Sequence, residues 1–266
     1  MIVDGTVDVS PSREVTVRCV GAGNPTVLLE VGGSGDMTDW SSNFVDALAE
    51  GTTTCLYSRA GGPGSTPVDG LQTRAQLVGD AYALLDVLNR DYAVEGPYVF
   101  VGWSFGGSVA LAEALEHPET TAGLVILDTD FPTDFVPACI ASGRTARKCQ
   151  AEYDGDEEAK SIEKDIVAKV HPLPDIPIAV VSALRLPDCY LEMGATEVTA
   201  DIAGTVVTAP DCDALGAAIA DKMRDDWRQL GPQVTDTRID ADHDGLTEQA
   251  SAEIAALVLQ IVTSAS

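Results

Sequence analysis

Short apolar runs and longer stretches of helical periodicity take turns along the chain. Runs rich in Val, Ile, Leu and Thr occupy 14–20, 26–31, 53–58, 97–101, 123–128, 178–182 and 234–239. Each is four to eight residues long and is bounded by Gly, Pro, Ser or Asp, the signature of buried strands. Between them the apolar positions recur every three to four residues. Thr38 can cap a helix reaching about Glu50, with Phe44 and Leu48 turned inward. A second helix over roughly 73–90 sets Leu77, Ala81, Leu84, Leu85 and Leu88 on one face. A third runs from Ser108 to His117-Pro118. Leu215, Ile219, Met223 and Trp227 form a stripe before the last strand, and Ile254, Leu257, Val258 and Ile261 form another near the C-terminus. These stripes read as core.

Strands alternating with helices predict an α/β fold, a mostly parallel sheet with helices on both faces. The whole of 1–266 reads as one such domain, a size that α/β folds commonly reach as a unit. Within it, 131–175 is polar, helical in character and rich in Asp, Glu and Lys, and is expected to form a small lid or cap insertion. Open parallel sheets bind ligands outside the C-terminal ends of their strands. Gly33, Ser104, Asp128 and His243 all follow predicted strands at that edge.

The segment Gly102-Trp103-Ser104-Phe105-Gly106-Gly107 is a G-x-S-x-G turn with an apolar strand before it and a helix after it. A serine on such a turn is pushed out of the sheet edge, above the positive end of the following helix. A serine hydroxyl needs a base to take its proton, and histidine does this near neutral pH. Three histidines are available. His117 ends the helix behind the serine, and His171 lies in a Pro-rich linker. His243, in Asp240-Ala241-Asp242-His243-Asp244-Gly245, sits between the last strand and the last helix and is the candidate base. The orienting acid is left among three residues: Asp128, which ends a strand, Asp130, two residues on, and Asp188, after the next strand. Asp128 is preferred. The N–H of Phe105 and that of Gly33 are the candidate oxyanion donors.

Composition narrows the partners. Forty-two acidic and 16 basic residues give a net charge of −26. Such a surface repels nucleic acid and anionic membranes and opposes tight self-association at low salt, so a monomer is favoured. No run of some 18 apolar residues is present to span a bilayer. Six cysteines occur without a C-x-x-C pair and far from the histidines, which argues against a metal site. Fifteen pairings are possible. Three consecutive pairs, Cys19–Cys55, Cys139–Cys149 and Cys189–Cys212, are the simplest framework and point to an oxidising compartment. The first residues lack the charged and apolar regions of a signal peptide. The expectation is therefore a secreted protein whose leader is absent, with a cytoplasmic enzyme as the alternative.

The segments 18–33, 55–61 and 96–107 together resemble the α/β-hydrolase superfamily, in particular secreted actinobacterial serine hydrolases of esterase or lipase type. The resemblance is close over most of 14–130 and loose in the last third. It implies about eight strands, a Ser–acid–His triad and esterase-type chemistry without a cofactor, and it supports a Cys19–Cys55 bridge between neighbouring strands. Two positions depart from the family pattern. Ser58 stands where Asp is usual, and Trp103 replaces the usual His, as in some polyester-degrading hydrolases. The expected function is cleavage of a small carboxylic ester through an acyl-enzyme. Amide, lactone or thioester hydrolysis and acyl transfer use the same triad and stay open, as does a non-catalytic ligand-binding protein on a hydrolase fold.

Overall fold

The structure is a computed structural model that describes residues 1–70, 72–129, 173, 175–185, 197–202 and 205–265. Ten strands are described: β1 (Val3–Ser10), β2 (Arg13–Val20), β3 (Thr26–Glu30), β4 (Thr54–Ser58), β5 (Tyr98–Trp103), β6 (Thr121–Leu127), β7 (Ile178–Arg185), β8 (Val198–Ile202), β9 (Thr205–Ala209) and β10 (Val234–Asp242). The helices are α1 (Ser42–Ala49), α2 (Arg74–Tyr92), α3 (Phe105–Glu116), α4 (Cys212–Trp227), the short α5 (Leu246–Gln249) and α6 (Ser251–Ser264). Eight strands form one sheet in the order β1-β2-β4-β3-β5-β6-β7-β10, and β8 and β9 form a separate hairpin. From β4 to β10 every neighbouring pair is parallel; β2 is antiparallel to both β1 and β4.

The central strands β3, β4, β5 and β6 are buried on nearly every residue, as two-faced strands must be. α2, α3 and α4 cover one face, where Leu77, Leu84, Leu88, Leu111 and Trp227 meet Leu28 and Phe100. α1 and α6 cover the other, where Phe44, Leu48, Ile254 and Val258 meet Leu29, Val99 and Val125. From β3 the chain steps to β4 on one side and returns to β5 on the other. Such a reversal is where open α/β sheets place their ligand sites, outside the C-terminal ends of the strands, here those of β3 and β5.

Local chemistry moves several boundaries from those expected. The helix expected from Thr38 is split, because Asp36, not Thr38, caps a 3₁₀ turn over Met37–Asp39. Trp40 is then extended and only 4% exposed, stacked on Phe44 with ring centroids 5.6 Å apart, and α1 begins after it. α2 is fixed by a capping box in which Thr73 and Gln76 satisfy each other's backbone N–H groups. β1 had no counterpart among the expected strands. Val3 and Val7 turn inward while Asp4 and Asp8 are exposed, a charged edge that discourages pairing with other chains. β7 and β10 run further than expected, to a final pairing of Arg185 with Asp242, which brings the chain to the functional edge just before His243.

Cys19 and Cys55 face each other on β2 and β4 and are joined by a disulfide. Cys212 is also disulfide-bonded, with a partner outside the described residues. The other half of the expected framework, Cys139, Cys149 and Cys189, lies there too, as do most of the expected lid at 131–175, Asp130, His171 and Asp188. None of the described helices is long and apolar enough to cross a membrane.

Candidate active site

Ser104 lies between β5 and α3 with φ 54° and ψ −128°, a conformation that costs a non-glycine residue about 1–3 kcal/mol. Close backbone packing holds it there. A Cβ on Gly102 would stand 2.3 Å from the Gly106 carbonyl oxygen, and one on Gly106 would stand 2.0 Å from that of Glu30. Both residues must therefore be glycine for β5, α3 and β3 to meet as they do. The Ser104 carbonyl accepts from Gly107 N at 2.9 Å and from Thr129 Oγ1 at 2.8 Å, while its own N–H donates to Leu127 O at 3.0 Å. Gly106→Ala is expected to cost about 3 kcal/mol or more, since the clash is with backbone that cannot rotate away. A melting temperature equal to that of the unaltered protein would contradict this packing.

His243 Nε2 lies 3.0 Å from Ser104 Oγ, and its Nδ1 lies 2.6 Å from Asp128 Oδ2. With Nδ1–H donated to the carboxylate, Nε2 is left as the acceptor facing the serine hydroxyl. Asp128 follows β6 directly, with φ 46°, a left-handed conformation that Asp tolerates better than most residues. Its N–H donates to Val181 O at 2.7 Å and its Oδ1 accepts from Ala183 N at 2.8 Å, so β7 orients the carboxyl group. The loop carrying His243 is tied down on both sides. Asp242 accepts from Gly245 N and Gln249 Nε2, each at 2.7 Å; the Gln249 amide first, then the Gly245 N–H, hold its carboxyl below the usual range. Trp103 Nε1 donates to the His243 carbonyl at 3.2 Å, and its ring lies 5.5 Å from the imidazole.

The expected oxyanion donors border the same spot. Phe105 is the first residue of α3, where N–H groups lack helical partners. A Cβ on Gly32 would stand 3.6 Å from Ser104 Cβ, so the loop after β3 passes beside the serine, and exposed Gly33 comes next. Ser104, His243 and Asp128 are thus brought together, with Phe105 and the Gly33 loop around them. His117 is elsewhere, at the far end of α3, its ring against Tyr82 and its Nδ1 3.4 Å from Glu119. Among the described residues no group of three or more His, Cys, Asp or Glu side chains is gathered as a metal ion would need.

Sequence reasoning passed over the layer beneath. Arg59, 5% exposed, donates from both terminal nitrogens to the carbonyls of Val31 and Gly32. The Glu30 carboxylate is 3.6 Å from Arg59 Nη1 and has no exposure at all; Glu113 and Tyr57 lie beside it, fully buried. These groups adjoin without closing hydrogen bonds of ordinary geometry. Burial raises both carboxyls above their ordinary range, Glu113 the further because Glu30 adds its charge. The clue available in the sequence was a cation placed directly after an apolar strand, at the edge where Ser104 also emerges.

That upward shift has a consequence for stability. A carboxyl whose folded-state affinity for protons exceeds its unfolded one stabilises the fold fully below about pH 4.5, and that contribution is lost as pH rises toward its folded pKa. Glu113→Gln mimics the protonated acid and does not titrate. Relative to the unaltered protein its stability should therefore rise with pH, by up to about 1.4 kcal/mol per pH unit within that window. Thermal melts of both proteins between pH 4.5 and 8 read the difference; parallel curves would mean that Glu113 binds its proton no more tightly in the folded state than in the unfolded one.

Residues 27–257 match the alpha/beta hydrolase family. No curated protein matches the sequence significantly. Solved structures of the same architecture include an enol-lactonase from Burkholderia xenovorans, 19% identical, with a TM-score of 0.57 over 96% of this chain and 99% of that one. A thermophilic esterase from Thermogutta terrifontis is 17% identical, with a TM-score of 0.58 over 97% and 98%. A putative epoxide hydrolase from Pseudomonas aeruginosa, also 17% identical, has a TM-score of 0.63 over 98% and 95%. At such identities the likeness is one of fold, and the three names span two kinds of bond, the acyl C–O bond of lactones and esters and the C–O bond of an epoxide. With the family match covering most of its length, the chain belongs to the alpha/beta hydrolase family.

Proposed function

We propose that this hydrolase cleaves carboxylic esters through an acyl-enzyme on Ser104. The observation that carries the reading is the continuous line from Ser104 Oγ through the His243 ring to Asp128, with hydrogen-bond distances of 3.0 and 2.6 Å. In that line His243 takes the serine proton as Oγ attacks the carbonyl carbon, then passes it to the departing alkoxide. Asp128 holds the imidazole in the required tautomer and faces the imidazolium that forms. The N–H groups of Phe105 and Gly33 receive the negative oxygen of the tetrahedral intermediate. Water, deprotonated by the same histidine, then releases the acid.

Serine chemistry favours carbonyl substrates over epoxides. Attack of Ser104 Oγ on an epoxide would leave an ether, which has no carbonyl for water to attack, and turnover would stop. An acyl-serine has one. Lactones and thioesters present the same electrophile and fall within the reading, whereas a merely ligand-binding role leaves the aligned hydrogen bonds without a purpose. The Cys19–Cys55 disulfide supports an exported protein. Kinetics on p-nitrophenyl esters of graded chain length test the proposal. Saturable release of p-nitrophenol that vanishes in Ser104→Ala is expected. Absence of turnover on every ester, with intact folding, would overturn it.

A further inference from the structure

Gly33 poses a physical difficulty for the oxyanion site just described. It is exposed, with nothing within 4 Å of where its Cβ would be, and it lies in the run Gly32-Gly33-Ser34-Gly35. No side chain packs there to fix the direction of its N–H. The peptide group is planar, however, and its C=O and N–H point in opposite directions. Whatever holds the Gly32 carbonyl therefore aims the Gly33 N–H.

That holder is Arg59. One terminal nitrogen donates to Gly32 O and the other to Val31 O, so a rigid planar fork spans two successive carbonyls. The Gly35 N–H adds a weaker bond to Gly32 O at 3.2 Å. The guanidinium also lies over the Phe105 ring, 5.2 Å from its centroid, and so touches the residue that bears the second donor. Glu30, buried 3.6 Å away at the end of β3, supplies the countercharge that keeps this cation inside.

We propose that Arg59 is a positioning residue for the oxyanion site: it fixes the Gly32–Gly33 peptide and packs on Phe105, so that both N–H donors converge beside Ser104. The proposal rests on the acyl-enzyme reading for its catalytic meaning, but the aim of the peptide can be examined without it. Lysine carries the charge yet can present only a single nitrogen, so it cannot reproduce the two-carbonyl fork.

Two variants make the test. Arg59→Lys preserves the buried charge. Arg59→Met combined with Glu30→Gln removes both charges together, so that neither is left buried without the other. Each is crystallised and assayed on p-nitrophenyl butyrate, and each is titrated with a phenylboronic acid, whose tetrahedral serine adduct needs the donors as the intermediate does. The expected result is a Gly32–Gly33 peptide turned from its present orientation. With it go a kcat lower by about 10²–10³-fold, a KM within a few-fold, and weaker boronate binding. A purely structural role would instead lower the melting temperature and leave kcat per folded molecule unchanged. A peptide that keeps its orientation, or a kcat within threefold of the unaltered enzyme, would overturn the proposal. If the unaltered protein turns over no ester, the acyl-enzyme reading falls, while the peptide orientation in the variants still decides the role of Arg59.

Discussion

Asp128→Asn is expected to lower kcat by about four orders of magnitude with little change in KM or melting temperature. The reason lies in which way the amide must turn. Asp128 Oδ1 accepts the backbone N–H of Ala183, and that donor does not change with the substitution. Asn can satisfy it only with its carbonyl oxygen, which leaves the NH₂ group facing His243 Nδ1. The imidazole must then accept at Nδ1 and carry its proton on Nε2, where it can no longer take one from Ser104. The side chain stays in place and the packing is kept, but the tautomer is wrong. Asp130→Asn and Asp188→Asn, by contrast, should remain within about tenfold of the unaltered enzyme, because His243 Nδ1 already has its carboxylate in Asp128. Steady-state kinetics on all three variants decide the assignment. A collapse in Asp188→Asn with activity retained in Asp128→Asn would transfer the role of acid to Asp188.

Ser104→Ala is expected to reduce kcat on the order of 10³-fold or more, since serine, histidine and acid act as a unit and little remains when one is gone. The fold should survive. Alanine retains the backbone at φ 54°, and the bonds that hold the turn, from Gly107 N and Thr129 Oγ1, go to the carbonyl at this position rather than to the hydroxyl. A circular dichroism spectrum and melting curve like those of the unaltered protein should accompany the loss. Retention of more than a tenth of the activity would remove Ser104 as the nucleophile.

Features with local causes were legible in the sequence, and those with distant causes were not. The turn at Ser104 is set by glycines within a few residues of it, and so is readable along the chain. His243 could be placed near Ser104 by order and position, because it directly follows the last strand at the edge where the serine emerges. The acid could not be settled so simply. Asp128 and Asp188 each come after an apolar run in the sequence, and the contact that singles out Asp128, to His243 Nδ1, joins residues 115 positions apart. β1 escaped notice because half of its residues are polar and Gly5 interrupts it, so it takes shape through pairing with β2. The helix expected from Thr38 failed for a related reason: burial of Trp40 against Phe44 and Trp103 overrides a good capping residue. Arg59 was hidden most completely, since its partners are backbone carbonyls that carry no sequence signature.

The central claim is that Ser104 is a nucleophile activated by His243, and covalent labelling examines it without knowledge of the natural substrate. A fluorophosphonate should add once to the folded protein, with the adduct on the peptide containing Ser104. The adduct should be absent in Ser104→Ala and slowed by orders of magnitude in His243→Ala. Labelling confined to another residue, or no adduct at all on the folded protein, would contradict the account.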